Sequence, residues 1–192
     1  EAFDKTAKLL GIEFPGGPKI EALADKGNSN KFNLPLPIIN KGGCNLSFAG
    51  LKTAVLRLSK EIKSPQDRYD LASSFQKTIE KIIYKKTEVA FEKFLEINKF
   101  TEKNFVVAGG VAANKGIRKV VDNVCKKNNF KIYFPNLEFC GDNAAMIAMV
   151  GLEKYKKEKF DKYDLKANPR WQLDNTAKFL KGAGIKLWNT IF

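Results

Sequence analysis

Histidine is absent from all 192 residues. That excludes, for this chain, a Ser/His/Asp triad, a Cys/His pair and an HExxH zinc-protease helix. Neither GxxxxGK(S/T) nor GxGxxG occurs, so there is no Walker phosphate loop and no dinucleotide fingerprint. The three cysteines, Cys44, Cys125 and Cys140, are odd in number and lack CxxC spacing. They argue against a disulfide framework and a cysteine zinc site, and for a reducing, cytoplasmic compartment. No apolar run reaches membrane-spanning length, and no charged start leads into a short apolar core, so neither a transmembrane helix nor a signal peptide is expected. Met146 and Met149 are the only methionines, and the first residue is Glu1. That is the pattern expected of a piece of a longer protein, or of a processed chain. Arginine is scarce too: Arg57, Arg68, Arg118 and Arg170 are the only four of 34 basic residues.

What remains is an ordinary core-forming composition, 44% hydrophobic and 29% charged, with a net charge of +13. The charge suits a polyanionic partner such as tRNA. A lysine-rich genome produces the same sum, and phosphate recognition often favours arginine forks. Both explanations stay open at the level of composition.

The opening "EAFDKTAKLLGIEF" predicts an amphipathic helix with Gly11 just past its end. "PGGP", Pro15 to Pro18, predicts a loop, and "KIEALADKG" a short helix stopped by Gly27. The run from Asn28 to Gly43 reads as a loop with at most a short edge strand. A helix is expected from near Gly50. Ser64, Pro65 and Asp67 form a helix-start signature, and apolar spacing from Ala72 to Ile97 predicts one long helix from about Pro65 to Asn98. The pattern then changes. "NFVVAGG" predicts a buried strand, "NKGIRKVVDNVCKKN" a helix, "KIYFP" a second strand, and "CGDNAAMIAMVGLEKYKKE" a second helix. Strand–helix–strand–helix with short connections implies a parallel α/β unit behind a helix-rich N-terminal half. The expected organisation is a helix-rich subdomain over 1–100, an α/β element over 101–175 and a tail over 176–192.

In an open parallel sheet, ligands sit at the carboxyl ends of the strands. Gly109 and Gly110 follow such an end, where glycine lets a backbone approach a ligand. The helix behind them would offer free N–H groups to a phosphate, and Asn114 could bond a nucleoside. A plain turn with Asn114 as N-cap explains the same residues. Asp142 opens the second helix, where an aspartate caps more often than it ligates a metal. Asp4 could grip ribose hydroxyls or simply be a solvated helix residue. "PGGPKIE", with Glu21, could wrap a nucleotide or merely join two helices.

Taken in order, "EAFDKTAKLLG", "PGGP", "SFAGLKTAV", "SFQ", "VVAGGVAAN", "FPNLEFCGDNAAMIA" and "ANPRW" resemble the tRNA N6-adenosine threonylcarbamoyltransferase family of TsaD type, in its bacterial form. The resemblance runs from Glu1 to about Trp171. It implies an actin-like, ribonuclease H-like fold related to heat-shock and sugar-kinase ATPases. It implies transfer of a threonylcarbamoyl group from threonylcarbamoyl-AMP to N6 of the adenosine beside the anticodon, in tRNAs reading codons that begin with A. By the resemblance, Asp4, Gly17 and Glu21 contact the nucleoside part of the adenylate, Gly109 and Gly110 floor its site, and Asn114 meets the base. Asp142 binds a divalent metal, iron or zinc. The remaining metal ligands are histidines of an N-terminal lobe that this chain lacks, so the chain alone is expected to be inactive. Partner proteins of TsaB and TsaE type are implied as well. Ala49 stands where many relatives carry serine, and "KLWNTIF" has no counterpart. The rival readings are a non-catalytic nucleotide-binding fragment and an actin-like ATPase or chaperone module.

Overall fold

A computed structural model describes residues 1–40, 43–97, 102–164 and 166–168. Two compact units make up the chain, Glu1–Met146 and Ile147–Phe192. The first contains helices α1 (Ala2–Leu9), α2 (Gly16–Ala24), α3 (Ala49–Leu58), α4 (Pro65–Ile97) and α5 (Lys115–Lys127), with strands β1 (Asn104–Val106) and β2 (Lys131–Tyr133). A further helix, α6, spans Ala144–Lys156. Among the described residues this is a mixed helical architecture with one small parallel sheet. Among the described residues, no helix is long and apolar enough to cross a membrane. The 176–192 tail, and Pro169 to Trp171 of "ANPRW", lie outside the described residues.

Helix α4 is the spine, and its start is set locally. Ser64 Oγ accepts from the Asp67 N–H at 3.2 Å, while Asp67 Oδ2 accepts from the Ser64 and Lys63 N–H groups at 2.8 and 2.9 Å. This reciprocal arrangement satisfies donors that the first turn would otherwise leave unpaired. From there Leu71, Phe75, Ile79 and Ile82 bury their side chains against Phe3 of α1, Ile20 of α2, Leu51 of α3 and Val121 of α5 in one cluster. Burial of each such side chain contributes about 1.5–3 kcal/mol. Phe91, further along α4, carries the sheet. It stacks on Phe130 at 3.7 Å and meets Phe105 of β1 edge-on at 5.0 Å.

Two polar anchors fasten the surface. Asp70 accepts from the Asn28 N–H at 2.8 Å, from Gln66 Nε2 at 2.8 Å and from Lys31 Nζ at 3.0 Å, so the loop after α2 is tied to α4. These donors hold the Asp70 carboxyl below its usual range, the Asn28 N–H foremost. Glu88 lies between Lys127 at 2.8 Å and Lys85 at 3.0 Å. Its carboxyl is pulled down to about 2, mainly by the Lys127 hydrogen bond.

Two expectations change. "PGGP" is not a loop: Gly16, Gly17 and Pro18 form the first turn of α2, with Pro15 at the N-cap. A proline within the first turn costs no hydrogen bond, because those N–H groups have no partner inside the helix. The reading of β1 as a buried strand also fails. Phe105 packs on the core, but Val106, on the opposite face, is 66% exposed. The β1–β2 pair, in register Phe105↔Ile132, packs only one face on the core. Among the described residues from 28 to 40 no strand forms.

Candidate functional site

Parallel pairing puts the segments that follow β1 and β2 at the same end of the sheet. After β1 the chain passes Gly109 and enters a 3-10 turn, Gly110–Ala113. Gly109 has φ 90°, a conformation that favours glycine. A Cβ on Gly109 or Gly110 would meet nothing within 4 Å, so the space over this backbone is open. After β2 come Phe134 and Pro135, a second 3-10 turn, Leu137–Phe139, and then Cys140 to Asn143.

Arg118 of α5 joins the two loops. Its Nε donates to the Ala112 carbonyl of the glycine loop. One terminal nitrogen donates to the Pro135 carbonyl at 3.0 Å and to Cys140 Sγ at 3.3 Å. The guanidinium also lies over the Phe134 ring, 4.6 Å from its centroid. A rigid planar fork serves several acceptors at once, which a lysine ammonium does not do in this geometry. In a chain with four arginines, arginine at this position was the signal that sequence reading passed over.

The start of α5 is filled by protein atoms. Asn114 caps it, its Oδ1 accepting from the Ile117 N–H at 2.9 Å. Glu21 of α2 reaches across so that Oε1 accepts from the Lys115 N–H at 2.6 Å and the Gly116 N–H at 3.4 Å. The first three N–H groups of α5 are therefore satisfied. The expectation that they stand free for a phosphate is corrected: a carboxylate already occupies the positive end of the helix dipole.

Asn114 is itself held from behind. It is buried, at 8% exposure, and exchanges two hydrogen bonds with Gln76 of α4: Gln76 Nε2 to Asn114 Oδ1 at 2.9 Å, and Asn114 Nδ2 to Gln76 Oε1 at 3.1 Å. Gln76 Nε2 also donates to Glu80 Oε1 at 2.8 Å. Gly116 makes room for this cluster. A Cβ there would sit 2.2 Å from Glu80 Oε1 and 2.7 Å from Gln76 Nε2. Gln76 stands in the "SFQ" stretch, but the sequence assigned neither it nor Glu80 a role, because the partner Asn114 lies 38 positions from Gln76.

Asp4 sits one helix further out. Its Oδ1 accepts from the Gly16 N–H at 2.9 Å and so steadies the start of α2, beside the expected contact Gly17. Asp4 also lines a surface hollow with Lys5, Lys8, Gly11, Ile12, Glu13 and Phe14. Helix α2 thus connects Asp4 at its start to Glu21, and Glu21 connects to the Asn114 cap. Asp142 is exposed in the loop before α6. It is not the cap: Asn143 Oδ1 accepts from the Met146 N–H at 3.0 Å. Among the described residues, no three His, Cys, Asp or Glu side chains converge as a metal-binding group.

The sequence model described as "TsaD: tRNA N6-adenosine threonylcarbamoyltransferase" matches residues 1–149. The chain belongs to this family. It is 65% identical over 187 residues to the tRNA N6-adenosine threonylcarbamoyltransferase of Pelagibacter ubique (strain HTCC1062), covering 97% of this chain and 52% of that relative. The proteins of the same name from Rickettsia rickettsii (strain Sheila Smith) and Ruegeria sp. (strain TM1040) are 45% and 44% identical, over 91% and 97% of this chain and 52% of each relative. The chain therefore spans about half the length of the curated relatives it matches. The glycine loop, the Asn114 cap, the Arg118 brace and the Asp142 loop all fall inside residues 1–149, the stretch that the TsaD model matches.

Proposed function

We propose that this chain supplies the adenylate-holding part of a threonylcarbamoyltransferase that modifies tRNA. The observation that carries the reading is the Arg118 brace. It fastens the Gly109–Gly110 loop and the loop leading to Asp142 at one end of the parallel pair, where such folds bind ligands. The chain is part of an actin-like fold, with 1–100 as a helix-rich subdomain and 101–175 as a lobe element.

In this reading the exocyclic N6 amine of a tRNA adenosine attacks the carbamoyl carbon of threonylcarbamoyl-AMP. A C–N bond forms, the C–O bond to the phosphate breaks, AMP departs and the amine proton passes to solvent. The chain's residues hold and orient the adenylate. Asp4 holds the Gly16 N–H through Oδ1, and its Oδ2, 3.8 Å from the Glu1 ammonium, is the oxygen assigned to a ribose hydroxyl. Gly17 offers backbone at the start of α2. Glu21 has one oxygen on α5 and the other for the nucleoside side. Gly109 and Gly110 form an open floor, and Asn114 meets the base.

Asp142 is an oxygen donor that iron and zinc take beside histidine ligands, but one carboxylate does not make a metal site. The other ligands are assigned to the half of the relatives that this chain does not span, and no step is derived through the metal. The net charge of +13 favours tRNA as partner. Proteins of TsaB and TsaE type complete the assembly in the cytoplasm.

The test joins this chain, in one polypeptide, to the half of the Pelagibacter relative that it does not span. The hybrid is incubated with threonylcarbamoyl-AMP, unmodified tRNA and the partner proteins, and the tRNA nucleosides are read by mass spectrometry. Modified adenosine is expected. Its absence, where the intact relative works, overturns the transferase reading.

A further inference from the structure

The cluster behind Asn114 has a direction. An ionised carboxylate only accepts hydrogen bonds, so Glu80 Oε1, 2.8 Å from Gln76, requires a donor there and fixes the Gln76 amide with Nε2 toward Glu80. A backbone N–H only donates, so the Ile117 N–H, 2.9 Å from Asn114, requires an acceptor and fixes Oδ1 toward the helix. The two ends are independent, and they demand the same orientation of the amide pair between them. With Nε2 serving both Glu80 and Asn114 Oδ1, Gln76 has Oε1 left to accept from Asn114 Nδ2. Turning either amide over would set oxygen against oxygen and strand a buried donor.

The accounting leaves one hydrogen. Asn114 Oδ1 carries two donors, and one Nδ2 hydrogen goes to Gln76. The second Nδ2 hydrogen has no partner among the described residues. Its residue ends the turn that follows the open Gly109–Gly110 backbone.

We infer that Gln76 and Glu80 are positioning residues that lock Asn114 as a hydrogen-bond donor, so that the site reads an acceptor atom, a ring nitrogen, of a bound purine. This rests on the adenylate-site reading above. Neither Gln76 nor Glu80 touches the ligand. They act through the orientation of one buried amide.

The experiment uses AMP and its 1-deaza, 3-deaza and 7-deaza analogues as probes, with the hybrid protein and isothermal titration calorimetry. In the unaltered protein, one of the three analogues is expected to bind about tenfold more weakly than AMP, the loss of a single hydrogen bond. Asn114→Asp keeps the size and the cap but removes the donor, and should bind AMP and that analogue equally. Gln76→Met frees the Asn114 amide to turn, and should shrink the discrimination while Gln76→Glu, which keeps shape but cannot donate to Oδ1, abolishes it. A merely structural role for Gln76 would lower thermal stability and leave the AMP-to-analogue ratio unchanged, and that result overturns the inference. Equal binding of AMP and all three analogues by the unaltered protein also overturns it, while leaving the adenylate site standing. Failure of AMP itself to bind removes both.

Discussion

The carboxylate of Glu21 accepts from the backbone N–H of Lys115 at 2.6 Å, across 94 positions of sequence, and so fills the start of α5 from a neighbouring helix. An anion at a helix start contributes about 0.3–1 kcal/mol at exposed sites and up to about 2 kcal/mol where partly buried. Glu21→Ala should therefore cost about 1–2 kcal/mol in urea denaturation. It should also make the protein newly responsive to phosphate, which would bind the vacated N–H groups and restore part of the loss. An unchanged midpoint, with no phosphate effect, would show that the contact is not held in solution.

Arg118→Lys keeps the charge and loses the fork. A single ammonium does not serve Ala112, Pro135 and Cys140 together while covering Phe134. Amide hydrogen exchange should speed up in both loops, 109–113 and 134–143, with little change in the buried turns of α4. Acceleration confined to one loop would mean that the brace does not join them.

Thr6 is fully buried in α1, and its hydroxyl has no partner among the described residues. An unpaired buried hydroxyl costs about 1–3 kcal/mol, and replacement by an apolar group of the same shape removes that cost. Thr6→Val should raise stability by about 1 kcal/mol by chemical denaturation. A lower midpoint would point to a partner that the hydroxyl finds in solution.

Stability should fall at both extremes of pH. Glu88 has its carboxyl depressed to about 2 by Lys127 and Lys85, and Asp67 is depressed further by Lys31 and the Lys63 N–H. Their contribution is complete above the unfolded carboxylate range near 4 and is lost as pH drops through the folded values. At the other end, burial pushes the Cys125 thiol up to about 11. Between about pH 9 and 11 the unfolded thiol ionises while the folded one does not, so stability declines with rising pH. Cys125→Ala should flatten the alkaline limb. Glu88→Gln should flatten part of the acid limb. Profiles that keep their shape in these variants would assign the titrations elsewhere.

Much of the framework was legible because its causes are local. The start of α4 is written in Ser64, Pro65 and Asp67, with Ser64 and Asp67 bonded to each other across three positions. The β1–α5–β2 order follows from a change of apolar period that needs no distant partner. "PGGP" misled because the start of α2 is steadied by Asp4, twelve residues earlier, and local turn statistics contain no such term. Asn114 was ambiguous for a related reason. Capping and ligand contact call for the same amide, and only the bonds to Gln76 show how much of that amide is already committed.

The sequence by itself determined the family and the order of elements, since these depend on residue type, spacing and motif order. The tertiary structure alone decided which polar groups are spent. It put Glu21 on the helix start offered to phosphate, ran Arg118 between two loops, and chained Glu80, Gln76 and Asn114 into one directed set of bonds. The physical reason is that a hydrogen bond is saturable and directional. Whether a donor remains free for a ligand depends on atoms brought near by folding from dozens of positions away, and no local pattern records them.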